Sequence, residues 1–312
     1  MSRVNSFKIP VVLFGFNRPL EIQAVFAQIA MLKPARLFLV ADGPRLGYQS
    51  DEVLCNQVRT IISNVTWECQ IFKLFFDTNQ GCRHAIIQGL NWVFENESRA
   101  IILEDDCIPD PSFFLFCQEL LDYYQDNDRI MSIGGYRYLP DETQSTESYC
   151  FSKYTQSWGW ATWRRAWNLM DSELMTWEDI SQSTWLESYL ANPQYFAYWK
   201  YIFNKMRKGM NAWDYAWAYS CWRNNGLTIH PKVNLITPIG FGNNATHNTD
   251  KNHPASFRKA ISISLPLTHP TEICTYAATE DWIEKYNFSG MNEKRLKIGF
   301  SRILAARKLI PE

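Results

Sequence analysis

Ala100-Ile101-Ile102-Leu103-Glu104-Asp105-Asp106-Cys107-Ile108-Pro109-Asp110-Pro111 decides how the rest of the chain is read. A four-residue apolar run ends in three carboxylates and then meets two prolines. Such a run suits a strand buried on both faces of a parallel sheet. Pro109 and Pro111 are expected to stop it from continuing as sheet or helix. Adjacent carboxylates repel one another, so a fold that packs them at a strand end has a use for a cation there. Standing alone, the triplet reads as a solvated acidic loop. The segments before it change that reading.

Upstream, Val11 to Phe16 reads as a buried strand, followed by Asn17-Arg18-Pro19 and a helix from about Leu20 to Leu32. Arg36 to Ala41 is a second buried strand, closed by Asp42-Gly43-Pro44. A helix over Ser50 to Ser63, a strand over Glu68 to Phe76 and a helix over His84 to Phe94 lead to the acidic stretch. Strands alternating with helices predict an α/β fold with a doubly wound, right-handed parallel sheet. Ligands of such sheets bind beyond the carboxyl ends of the strands. Asn17, Arg18, Asp42 and Asp77 all fall at that edge together with the triplet, and the coincidence argues for a site.

Downstream, Ser112 to Tyr124 reads as a helix and Ile130 to Gly134 as a strand. Aromatic residues then crowd the stretch Ser157-Trp158-Gly159-Trp160-Ala161-Thr162-Trp163-Arg164-Arg165-Ala166-Trp167. A helix is expected over Trp213 to Trp222, and short strands over Leu227 to Ile229 and Val233 to Ile236. Gly240 to His247 reads as a polar loop. Met291 to Glu312 gathers Lys294, Arg295, Lys297, Arg302, Arg307 and Lys308 opposite a Leu296, Phe300, Ile303 and Leu304 face. That pattern fits either a basic amphipathic helix on an anionic membrane surface or a helix docked on the domain.

Composition narrows the classes. The 312 residues are 46% hydrophobic, enough for a sizeable core, and a net charge of −1 argues against nucleic acid as a partner. Eight cysteines occur singly with no C-x-x-C pair, which argues against structural zinc and fits a reducing cytoplasm. No signal-peptide core or membrane-length apolar run is present, so a cytoplasmic protein is expected, with the basic tail as its one candidate membrane contact.

Glu104-Asp105-Asp106 offers hard oxygen ligands, and Asp106, furthest past the strand, is the expected metal ligand. The strand order, Asp42, the Gly81 turn and this D-x-D-like triplet together resemble glycosyltransferases of the GT-A fold, family-2-like in character. E-D-D is also the form used by enzymes that add N-acetylglucosamine to mannose. The resemblance spans roughly Phe7 to Thr249. It implies a Rossmann-like GT-A domain over 1–270 with a mixed central sheet. A nucleotide-sugar half would cover about 7–110 and an acceptor half 111–270, with a helical tail over 271–312.

The same resemblance implies a metal-dependent, inverting hexosyl- or N-acetylhexosaminyltransferase (EC 2.4) that moves a sugar from a nucleotide sugar, a UDP-sugar first among them, to a saccharide acceptor. Phe16, Asn17, Arg18 and Asp42 would grip the nucleoside, Arg83 beside Gly81 the diphosphate, and Glu104 and Asp105 the nucleotide or metal-bound waters. Asp214 would be the general base, with Asp171 and Asp179 as alternatives. His247 would complete a Mn²⁺ or Mg²⁺ shell with Asp106. Trp158 and Trp160 would stack on sugar. Two further readings are a sugar nucleotidyltransferase, although Phe14-Gly15-Phe16-Asn17-Arg18-Pro19 lacks the usual Gly-rich first loop, and a non-catalytic carbohydrate-binding protein.

Overall fold

The computed structural model of the protein describes residues 7–139, 146–190, 192–241 and 254–288. Its first third is a strict alternation of strands β1 (Val11–Gly15), β2 (Arg36–Ala41), β3 (Gln70–Phe75) and β4 (Arg99–Glu104) with helices α1 (Pro19–Leu32), α2 (Gln49–Ser63) and α3 (Gly81–Asn96). All four strands pair in parallel, in the order β3-β2-β1-β4. The period-2 pleat divides their apolar residues between two cores. Val11 and Leu13 of β1 and Ile101 and Leu103 of β4 face α1 and α2. Val12 and Phe14 of β1 and Ile102 of β4 face α3. Both faces are therefore covered, as the continuous apolar runs require.

Beyond β4 the chain turns at Asp105 and Asp106, forms β5 (Cys107–Pro109) and enters α4 (Pro111–Tyr123). The prolines act differently from expectation. Pro109 lies inside the short strand β5, and Pro111 starts a helix. A proline at the first helical position forgoes an N–H that has no partner anyway, and Asp110 caps the helix by accepting from Ser112 N at 2.8 Å.

The remaining strands are β6 (Ile130–Gly134), β7 (Tyr149–Ser152), β8 (Trp160–Trp163), β9 (Leu227–Pro231) and β10 (Ile236–Pro238). Among the described residues the large sheet has eight strands in the order β3-β2-β1-β4-β8-β6-β9-β7, while β10 pairs with β5 alone. The first four strands are parallel, and β8 runs antiparallel to both β4 and β6, so the sheet as a whole is mixed, as expected. The middle of the aromatic stretch, Trp160–Trp163, is thus a central strand, and its end, Arg164–Trp167, is helix α5. The outcome is a mixed, helix-flanked, Rossmann-like α/β fold.

The helices α5 (Arg164–Trp167), α6 (Trp177–Ile180), α7 (Trp185–Leu190), α8 (Pro193–Arg207) and α9 (Asp214–Arg223) build the second half of one face. Trp160, Trp167, Trp213 and Trp217 form its centre, with the Trp160 and Trp213 rings stacked at 5.2 Å. No helix among the described residues is long and apolar enough to cross a membrane. The basic tail over 291–312 lies outside the described residues.

Helix α10 (Ala277–Phe288) docks against the end of β7 through two buried acids. Glu280 accepts from Ser152 Oγ and Lys153 N, each at 3.2 Å. Glu284 pairs with Lys153 Nζ at 3.0 Å and accepts from Tyr154 Oη at 2.5 Å. Burial pushes the Glu280 carboxyl up to about 7, against the pull of Lys153. A pKa raised on folding gives stability that is full below the unfolded value near 4.5 and lost as pH rises through about 7. The protein is therefore expected to become less stable between pH 5 and 8, by on the order of 3 kcal/mol at most. Urea midpoints across that window should show the loss in the wild type and flatten in Glu280→Gln. Equal slopes in both proteins would assign the pH dependence elsewhere.

Candidate functional site

Strand order fixes where the site lies. From β1 the chain crosses to β2 and β3 on one side, then returns to place β4 on the other side of β1. Loops that leave β1 and β4 therefore diverge and open a crevice at their carboxyl ends, the topological switch point of a doubly wound sheet. Arg18, just after β1, and Asp105 and Asp106, just after β4, meet there.

The contact is a planar fork on two carboxylates. Arg18 donates through Nε to Asp105 Oδ2 at 3.1 Å and through Nη2 to Asp105 Oδ1, and its Nη1 lies 3.0 Å from Asp106 Oδ2. Side-chain exposures of 16% for Arg18 and 6% for Asp105 put the fork largely out of water. Burial works against the charge on Arg18, but Asp105 and then Asp106 outweigh it and hold the guanidinium above its ordinary value. Asp105 is pushed up to about 6, by burial first, with Arg18 opposing. Glu104 is raised well above the usual carboxylate range by burial and then by the charges of Asp106, Asp105 and Asp214. Four carboxylates thus share one neighbourhood, and Arg18 pairs with two of them, Asp105 and Asp106.

Asp214 opens α9, at the N-terminal end that favours an acid. Its charge also reaches Cys82, at the start of α3, and Tyr138, after β6. The structure brings Glu104, Asp105, Asp106 and Asp214 into one neighbourhood. Cys82 and Tyr138 were missed. Tyr138 was findable: β6 runs in the same direction as β4, so the residues after it emerge at the same edge. Cys82 carried no signal, since it looks like any apolar residue of a helix start.

The other expected site residues have different work. Asp42 accepts from Gly43 N at 2.8 Å, Gln80 N at 2.7 Å, Gly81 N at 3.1 Å and Asn79 Nδ2 at 2.9 Å. It staples the end of β2 to the turn before α3, and a nucleoside contact would have to displace one of these donors. Asn17 donates to Asp51 at 2.8 Å, and Arg45 closes on the same carboxylate at 2.5 and 2.9 Å. Hydrogen bonding from Arg45 holds Asp51 at about 2. Phe16 lies under the Arg45 guanidinium at 5.4 Å.

Arg83 is 3% exposed and points inward, donating to Ser172 O at 2.5 Å and to Glu173 Oε1 at 2.7 Å. Arg83→Met is expected to lower stability by about 1 kcal/mol, because the partly buried Ser172 carbonyl and the exposed Glu173 carboxylate lose their donor but stay within reach of water. Nucleotide affinity should stay unchanged in the same variant. A tenfold loss of affinity with stability intact would make Arg83 a phosphate ligand after all.

The two tryptophans part company. Trp160 is fully buried in β8 and faces other tryptophans, so it offers no face to a sugar. That expectation is corrected: the residue is core. Trp158, two residues earlier and outside β8, is half-buried at the carboxyl edge, set edge-on to Tyr136 at 4.7 Å and to Phe241 at 5.8 Å. His247 lies outside the described residues.

Among the described residues no group of three or more acidic, histidine or cysteine side chains stands ready for a metal. The donors at the turn are nonetheless hard oxygens in excess of positive charge, the chemistry that suits Mg²⁺ or Mn²⁺. Arg18 pairs with both Asp105 and Asp106 at this turn. All eight cysteines are free, and none ligates a metal among the described residues.

No protein-family model matches the chain. No curated protein matches it either. Solved structures with a similar fold include a UDP-glucose pyrophosphorylase complexed with UDP-glucose, 14% identical, with a TM-score of 0.28 over 51% of this chain and 70% of that one. An apo UDP-glucose pyrophosphorylase is 12% identical, with a TM-score of 0.36 over 73% of this chain and 93% of that one. A 4-diphosphocytidyl-2C-methyl-D-erythritol synthase from Anaerococcus prevotii DSM 20548 is 8% identical, with a TM-score of 0.31 over 56% and 78%. These three are nucleotidyltransferases rather than glycosyltransferases, and the expectation of an EC 2.4 enzyme is corrected accordingly.

Proposed function

We propose that the crevice between β1 and β4 binds a nucleotide sugar and that the protein is a sugar nucleotidyltransferase. In that reaction a sugar 1-phosphate oxygen attacks the α-phosphorus of a nucleoside triphosphate, the α–β phosphoanhydride breaks and pyrophosphate leaves. The observation that carries the reading is the meeting of Arg18 with Asp105 and Asp106 at the switch point of the sheet.

A guanidinium fork matches phosphate oxygens as well as carboxylates, so Arg18 is the residue for the α-phosphate. It takes over a role that a Gly-rich first loop fills elsewhere, since Phe14 to Pro19 holds a single glycine. Asp106 and Asp105 would hold a divalent cation, which when bound offsets charge on the phosphates. Glu104, short of water beside them, is pushed toward its neutral, protonated form, so the charge for a cation would come from Asp106 and Asp105. Trp158 and Tyr138, at the rim beyond Asp214, would line the sugar side.

The test is isotope exchange. Labelled pyrophosphate is incubated with the protein, Mg²⁺ and a panel of nucleotide sugars, and label is sought in the nucleoside triphosphate. One active nucleotide sugar is expected. Binding of nucleotide sugars without any exchange would sink the enzymatic reading and leave a carbohydrate-binding protein.

A further inference from the structure

We propose that β3 is a dimerisation edge: a second copy of this chain adds its own β3 antiparallel about a two-fold axis, and the two large sheets become one. The surface is separate from the crevice between β1 and β4, with β2 lying between β3 and β1.

β3 closes one end of the large sheet, and among the described residues it has a strand beside it on one side only. Its backbone is therefore half used. Gln70 N donates to Ala35 O at 2.8 Å and Phe76 N to Ala41 O at 3.0 Å, so Gln70, Phe72, Leu74 and Phe76 turn their N–H and C=O toward β2. The pleat turns those of Ile71, Lys73 and Phe75 outward. Arg59 donates to Phe76 O, and its guanidinium lies 5.5 Å from the Phe75 ring, which holds the end of the strand in place.

Soluble proteins shield such an edge with charge, proline, a bulge or brevity. Here β3 pairs with β2 in unbroken register over six residues. The run Ile71-Phe72-Lys73-Leu74-Phe75-Phe76 contains no proline and one charge. Ile71 is 37% exposed, and Phe72, Leu74, Phe75 and Phe76 are only half-buried, divided between the two faces of the sheet. Outward amides flanked by apolar side chains above and below are what an added strand needs.

The charge pattern of the strand complements itself. With Phe75 opposite Phe75 of the second copy, outward N–H meets outward C=O, and Lys73 falls opposite Asp77 twice by symmetry. Lys73 and Asp77 are both exposed. Lys73 Nζ, 6.0 Å from the Phe75 ring, already lies near that axis. Sliding one copy until Lys73 meets Lys73 sets like charges in contact. The register between the two leaves Lys73 against Phe75 and Asp77 against Ile71. Charge therefore selects one register, and it favours a second copy over a peptide of unrelated sequence.

Sedimentation velocity of the full chain across about a hundredfold range of concentration reads the association. A monomer–dimer equilibrium is expected in the wild type. Lys73→Pro removes an outward N–H and no bond to β2, so it should keep the circular dichroism of the wild type and abolish the dimer. Lys73→Glu and Asp77→Lys should each raise Kd about tenfold, and the two together should restore it. A wild-type monomer at every concentration would overturn the proposal, whether the edge takes another segment of this chain, another protein or nothing. A dimer that survives Lys73→Pro would overturn it as well, placing the contact on another face. Failure of the double variant to recover would overturn the pairing of Lys73 with Asp77.

Discussion

Trp160→Ala will lower the unfolding free energy by about 3–5 kcal/mol, the cost of emptying a fully buried indole site. Three features place it at the upper end. Its ring stacks on Trp213 and touches Trp167 and Trp217, so one truncation loosens three aromatic contacts at the centre of that face. Trp160 also sits in β8, the strand that joins the parallel β1–β4 half to β6 and β9. Neighbours cannot close the gap, because Trp213 is held at the start of α9 and Trp217 one turn later in it. Trp158→Ala is the control. It is half-buried at the rim, so its stability cost should be under about 1.5 kcal/mol, while nucleotide-sugar binding weakens. Urea denaturation of both variants decides the matter. A mild cost at Trp160 with lost ligand binding would reverse the assignment of the two residues.

On the proposed nucleotidyl transfer, Asp106→Asn will reduce pyrophosphate exchange by about a hundredfold or more, with little change in stability. The substitution keeps the shape of the side chain and one oxygen but removes the charge that would hold the cation. Asp106 is the more exposed of the two turn carboxylates, at 21% against 6% for Asp105, and so the less costly to neutralise. Asp214→Asn is predicted to cost less than tenfold. A phosphate monoester loses its second proton at about 6, so at neutral pH the attacking group is already ionised and needs no general base. Initial rates of isotope exchange across the two variants measure this directly. The reverse ranking, with Asp214 indispensable and Asp106 dispensable, would point to proton abstraction as the difficult step and away from nucleotidyl transfer.

The parallel half was legible because both faces of its strands are covered, which writes them as unbroken apolar runs such as Ile101-Ile102-Leu103. Their polar ends marked the carboxyl edge, and Arg18, Asp105, Asp106 and Asp214 do converge there. Legibility failed where one residue type serves two environments. Trp158 and Trp160 are two apart in sequence and look alike, yet one is at the rim and the other in the core. Only the pairing of β8 with β4, a contact some sixty residues away in sequence, separates them. Asp42 and Arg83 misled for a related reason. A strand-end Asp and a helix-start Arg carry the right chemistry for ligands, but the fold consumes both in tying the chain to itself. β3 was placed a residue or two too long at each end because an edge strand, with Ile71 and Lys73 exposed, carries a weaker pattern.

The acidic turn is clamped between two sheets that belong to different parts of the chain. β4 holds it from the large sheet, while β5 holds it from a two-stranded patch completed by Ile236–Pro238, more than a hundred residues later. Ile239 and Gly240 then run directly over Asp106. The late segment is in effect a mould around a carboxylate of the first half, and the two must vary together. A bulkier residue at Gly240 is a change to Asp106, and a shortened β10 is a change to the spacing between Asp105 and Arg18. Tolerance to substitution along Ile236–Gly240 should accordingly follow that of the acidic turn itself, in contrast to the permissiveness of an ordinary surface crossing.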